Sequence, residues 1–260
     1  MANEALAVLE AALRSRKLDR TLTTALPALH QADGARTDPS ALVATDIAAL
    51  DACLRGGLPR GQLSEIAGPR SSGRLTAVVQ MLAAATRRGE IAALVDTCDR
   101  FDVASAVAAG VDLDRLLWIR GDAMSSGGAS SSRGFLLQQE DRLVERALKA
   151  LNLVLQAGGF GVVAIDLADV PVAALNRIPF TTWPRVQRII EGSDTACVLL
   201  APHPMARSAG GLTLTLTGAT RWTGAAARSR RVDGLDIDVR VVSPRRRVQG
   251  EIRVCCGLRG

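Results

Sequence analysis

The chain predicts an α/β fold: a mainly parallel sheet covered by helices on both faces, with an N-terminal helix and an antiparallel β extension at the C-terminus. Three observations lead there. Short continuous apolar runs alternate with segments of helical periodicity, as buried parallel strands and their crossover helices do. One of those runs ends in a glycine-rich turn that opens a helix. Beyond residue 211 the helical segments stop and alternating strands take over.

Residues 1–44 read as an appendage. Leu6, Leu9 and Leu13 recur at helical spacing among alanines and charges over 3–18. That narrow apolar stripe suits docking on a partner as well as folding back on the chain's own core. The polar stretch QADGARTDPS (31–40) reads as a linker. From Thr45 the α/β core begins, and residues 45–260 read as one domain. QLSEIA (62–67) is its first buried strand, and a helix of about 13 residues starts near Arg74. IAALVD (91–96), RLLWIR (115–120), FGVVAID (160–166) and TACVLL (195–200) are further strands. Helices are expected over about 102–109, over the long segment FLLQQEDRLVERALKALNLVLQ and over WPRVQRIIEG. The Ser/Gly-rich residues 123–134 are expected to be loosely held. LTLTLTG (212–218), ATRWTG, LDIDVRVVS and QGEIRVCC read as antiparallel strands joined by turns, with SPRRRVQG as the last hairpin connection.

Composition narrows the function classes. At 260 residues the chain buries a sizeable core without a metal or disulfide staple. No run of about 18 apolar residues offers a membrane span, and the N-terminus lacks the pattern of a secretory signal. Five cysteines without a CxxC pair point to a reducing, cytoplasmic setting and away from structural zinc. The formal charge is +6, and residues 221–260 hold ten Arg against four acids, so the whole excess lies there. Such a surface attracts phosphates or an acidic protein; it also protects an exposed strand edge.

The most specific local signal is Gly68-Pro69-Arg70-Ser71-Ser72-Gly73-Arg74-Leu75-Thr76 between a strand and a helix. A phosphate loop needs two glycines at this spacing, a Lys for the terminal phosphates and a Ser or Thr for Mg²⁺. Here the glycines stand in place, but Arg74 takes the lysine position and Leu75 the hydroxyl position. Arg keeps the charge in a bulkier, planar form, and Leu binds no metal. Thr76 comes one residue late, about 100° around the helix. Asp166 ends a buried strand where a carboxylate would face Mg²⁺; a helix cap or turn carboxylate is the equal alternative. ATP binding without productive Mg²⁺ hydrolysis is the most this loop supports; no cofactor, resident metal or catalytic residue is assigned.

These motifs resemble the bacterial RecA family over most of residues 45–255. The carriers are TDIAALDACLRGGLPRGQLSEIAGPRSSGR, LVDTCDRFDVASAVAAGVDLDRLLW and AGGLTLTLTGATRW, with LDIDVRVVSPRRRVQGEIRV as the closing hairpin. The resemblance implies a RecA-like phosphate-loop core, and it places the family's water-orienting glutamate at Cys98 and its phosphate-sensing Gln at His203. By resemblance Arg207, Gly210 and Gly211 lie in a shortened DNA-facing loop, with Arg245, Arg246 and Arg247 at the hairpin turn. These loops hold no aromatic residue, so contact with single-stranded DNA there would be phosphate-led and salt-sensitive. The short core, altered loop and WPRVQRIIEGSDTACVLL segment look most like the ImuA family, RecA-like accessories of translesion synthesis related to SulA. That likeness implies DNA-damage and SOS-response work beside an ImuB-like Y-family polymerase homologue, RecA and a replicative polymerase paralogue. A recombinase with a variant loop and a SulA-like cell-division inhibitor are the alternatives.

Among the other residues, His203 between two prolines reads as a loop hydrogen-bonder and Cys255-Cys256 as strand-end packing. Trp118 and Trp222 read as core or sheet-edge residues, and Trp183 as an anchor for the core or a partner.

Overall fold

A computed structural model of the chain describes residues 41–122, 133–206, 211–224, 229–242 and 250–257. Leu6, Leu9, Leu13, residues 123–132, Arg207, Gly210 and Arg245–Arg247 lie outside the described residues, and so do the expectations placed on them.

Strands β1 (Leu42–Val43) and β2 (Leu58–Pro59) form a small antiparallel ladder around α1 (Ala48–Leu54). β3 (Leu63–Ala67) runs through the glycine-rich turn into α2 (Arg74–Arg87). β4 (Ile91–Asp96), α3 (Val103–Ala108), β5 (Leu116–Arg120) and α4 (Arg133–Ala157) follow. Then come β6 (Phe160–Asp166), α5 (Val172–Leu175), α6 (Thr182–Ile190) and β7 (Ala196–Ala201). β8 (Thr213–Thr223), β9 (Arg231–Val242) and β10 (Gly250–Gly257) make the β extension.

The main sheet has eight strands in the order β10-β9-β8-β3-β7-β6-β4-β5. Neighbours from β8 to β5 are parallel, and β9 and β10 are antiparallel. This is the expected α/β fold class: a mainly parallel sheet flanked by helices, with antiparallel strands at its C-terminal end. Alternate residues of each strand face opposite layers, as a period of two requires. Val198 and Leu200 pack with Leu50, Val78 and Leu82 on the α1–α2 face. Cys197 and Leu199 pack with Leu151, Trp183 and Val186 on the α4–α6 face. With both faces covered, the carboxyl ends of the parallel strands are left to line a crevice, where α/β sheets place ligands. No helix among the described residues is long and apolar enough to cross a membrane.

Two expected boundaries shift. The segment 123–134 was expected to be loose, yet Arg133 and Gly134 already open α4. Gly218 does not end a strand: LTLTLTG and ATRWTG are one continuous strand, β8, paired with β9 through Gly218↔Ile237. The glycine is there because a side chain at 218 would strike the Ser71 carbonyl of the glycine-rich turn. Trp183 resolves to the core at 3% exposure, with Pro184 in the first helical turn, where no amide hydrogen bond is lost.

Candidate functional site

The glycine-rich turn has the backbone of an anion nest. Ser71 and Gly73 hold left-handed φ values of 59° and 87°, and Gly73 caps α2 without a side chain. Turn amides and the free amides of the first helical turn are the groups that bind phosphate in such loops. The β extension packs on the turn from outside. A Cβ at Gly73 would strike the Ile237 side chain of β9, and one at Gly68 the Leu216 carbonyl of β8.

Arg74 turns inward. It is 7% exposed, and its Nη1 donates to the carbonyl of Gly68 and, at 3.0 Å, to that of Ala201 at the end of β7. Burial holds its pKa below the ordinary arginine value, with Asp166 and Asp169 opposing. The charge at the lysine position is therefore spent on tying the turn to β7.

A cavity of about 480 Å³ lies beside this turn, lined by Arg70–Thr76 with Arg100, Asp166, Asp169 and Leu235 among others. Thr76 is exposed at its edge, while Gly68 and Pro69 are not among its lining residues. Asp169 bridges the rim, 3.0 Å from Arg70 and 3.5 Å from Arg100. Of the two readings of Asp166, the turn carboxylate is the one its hydrogen bond shows. It lines the cavity, and its Oδ1 accepts from the Ala168 amide at 2.8 Å as a turn carboxylate. Burial pushes its pKa up to about 6; the Ala168 amide opposes, Asp96 and Asp169 add to the rise, and Arg74 counters it. The Ser72 hydroxyl is buried without a hydrogen-bond partner among the described residues.

Cys98, at the position of the water-orienting glutamate, is buried in the α4–α6 layer, and its thiol is pushed up to about 12, first by burial and then by Asp166 and Asp169. Asp96, two residues before it, orders the turn that follows β4: its carboxylate accepts from the amides of Arg100 and Phe101, both at 2.8 Å, and from Trp118 Nε1 at 3.3 Å. His203 stands in the loop after β7, near the fully buried Glu65. Glu65 accepts from the Met205 and Ala206 amides at 2.6 and 3.1 Å. Burial raises its pKa, and those amides, Thr213 and His203 oppose the rise.

These residues do not fit a magnesium nucleotide. Leu75 offers no metal ligand, Arg74 is engaged by carbonyls and Cys98 carries no charge to orient water. Gly211, assigned by resemblance to a contact loop, is instead buried, and a Cβ there would strike the Leu63 carbonyl. Trp222, read as a core or sheet-edge residue, is 54% exposed. Asp169, Arg100 and Asp96 went unnoticed in the sequence. The D-x-x-D spacing of Asp166 and Asp169 just past a buried strand was the available signal.

Residues 16–127 match the RecA N-terminal domain. The RecA protein of Symbiobacterium thermophilum is 34% identical over 138 residues, covering 52% of this chain and 34% of that protein. RecA of Chlorobaculum tepidum is 36% identical over 138 residues, with the same coverage. RecA of Nostoc punctiforme is 50% identical over 68 residues, 26% of this chain and 19% of that protein. The chain thus spans about a third or less of the length of these curated relatives. The similarities support a RecA-like superfamily.

Proposed function

Starting from a RecA-like core whose phosphate loop is tied up by its own arginine, we propose that this chain is a non-catalytic accessory protein of DNA-damage tolerance. The reading takes the ImuA-like resemblance as its guide. Its partners would be an ImuB-like Y-family polymerase homologue, RecA and a replicative polymerase paralogue, met in the cytoplasm, with single-stranded DNA as a further ligand. The observation that carries the non-catalytic part is the Arg74 guanidinium on the carbonyls of Gly68 and Ala201. Leu75 and Cys98 remove the metal ligand and the water-positioning carboxylate in the same site. In phosphoryl transfer these groups act together, positioning the reactants and stabilising the developing charge. Losing all three removes turnover.

One observation favours the second reading, a recombinase with a variant loop: the turn keeps its left-handed geometry beside a cavity of about 480 Å³. A steady-state ATPase assay with and without single-stranded DNA separates the two. The proposal expects no turnover above a no-enzyme control. DNA-stimulated hydrolysis that Arg74→Ala abolishes would replace it with the recombinase reading.

A further inference from the structure

We propose that the outer end of the β8–β9 ladder is a contact for single-stranded nucleic acid, with the Trp222 indole as a base-stacking platform and Arg230 and Arg231 as phosphate contacts. This deepens the nucleic-acid part of the proposed function and rests on that part alone.

The register creates the platform. β8 and β9 pair regularly through Thr220↔Leu235 and Arg221↔Gly234; a bulge then sets Trp222 opposite Val232 and Thr223 opposite Arg231. Bulges re-aim side chains in this way. Trp222 and Val232, 54% and 43% exposed, form a cross-strand apolar pair left in water. An indole with a β-branched partner beside it is a flat, rigid surface with a π-face that any base can cover.

The charge around it selects the occupant. Arg221 is held by Asp233 at 2.9 Å and Asp236 at 3.4 Å. Those pairs offset the nearest acids. Arg230 and Arg231 are exposed and make no ion pair among the described residues. Arg231, paired with Thr223, projects from the face opposite Trp222 and Val232, so a strand passing around the end of the ladder meets the indole on one face and a guanidinium on the other. That arrangement suits a polyanion that carries its own aromatic rings. A hydrophobic protein surface would not need the arginines, and double-stranded nucleic acid would not present its base faces. Stacking with phosphate contacts is sequence-tolerant and salt-sensitive.

The experiment titrates the full chain with a short oligothymidylate, reading tryptophan fluorescence and the anisotropy of a labelled strand. Trp183 is buried and Trp118 half-buried against Phe101 and Arg120, so Trp222 is the indole open to quenching. Binding should quench it. Trp222→Phe should keep most of the affinity while removing most of the quenching, and Trp222→Ala should weaken binding roughly tenfold. Changing both Arg230 and Arg231 to Ala should lower the slope of log affinity against log salt by about 1.4. All these positions are exposed, and thermal melts matching the parent confirm an intact fold. The proposal falls if the oligonucleotide does not bind, or if Trp222→Ala binds as tightly as the parent. Because Leu235, opposite Thr220, lines the cavity, ATP is titrated too. Equal quenching by ATP would make the indole part of a mononucleotide site and overturn the proposal. Any of these failures leaves the non-catalytic reading standing, since ATP turnover alone decides that one.

Discussion

Replacing Asp166 with Asn should stabilise the protein at neutral pH and do nothing in acid. Asp166 is an acid whose folded pKa is about 6 against an ordinary value of 3.8. The folded state therefore holds its proton more tightly than the unfolded chain does, so stability falls as pH rises through the window from about 4 to 6. Above that window the loss is complete. At about 1.4 kcal/mol for each pH unit between the two values, Asp166 costs about 3 kcal/mol at neutral pH. Asn keeps an oxygen for the Ala168 amide, which Asp166 now bonds at 2.8 Å, and removes the buried charge beside Asp96 and Asp169. The assay is urea unfolding of parent and variant near pH 7.5 and again near pH 4. The expected result is a midpoint about 1 M higher for the variant at the upper pH, converging with the parent at the lower. Equal midpoints near pH 7.5 would refute the buried-charge reasoning. An advantage that persists near pH 4 would assign the effect to packing instead.

Gly73→Ala should destabilise the core by about 2–4 kcal/mol, from the left-handed φ of 87° and the overlap with Ile237, read as a lower urea midpoint; an unchanged midpoint would mean the β extension yields freely. Changing Leu6, Leu9 and Leu13 together to Ser should weaken capture of the ImuB-like partner while leaving the melting temperature set by residues 45–260 unchanged. A marked drop in that temperature would make the N-terminal segment an internal brace.

The parallel half of the fold was legible because its strands are continuous apolar runs with few competing interpretations. IAALVD and FGVVAID appear as β4 and β6 with the expected bounds. The β extension was less legible. Gly218 looks like a turn residue in sequence, but its glycine serves the close approach of Ser71 from a segment about 150 residues away, and no local pattern encodes that. The site divided in the same way. Arg74, Leu75 and Cys98 stand out against the phosphate-loop pattern, so the altered chemistry could be read from spacing. Where the Arg74 guanidinium goes could not, since Ala201 reaches it only through the β3–β7 pairing. Asp169 and Arg100 were hidden for the same reason. They meet across the crevice from loops that follow different strands.

The clamp of the β extension on the glycine-rich turn changes what a glycine signature means as a record of descent. Gly68 and Gly73 are closed to side chains by Leu216 and Ile237. Selection to keep the sheet folded would hold both glycines even in a lineage that had stopped handling nucleotides. Arg74 and Leu75 already carry long side chains, so that backbone restriction does not fix their identity. A chain of this architecture that loses its chemistry would thus drift first at the lysine and hydroxyl positions while its glycines stay fixed. A pattern search weighted toward the glycines would go on recognising a phosphate loop long after its polar groups had gone.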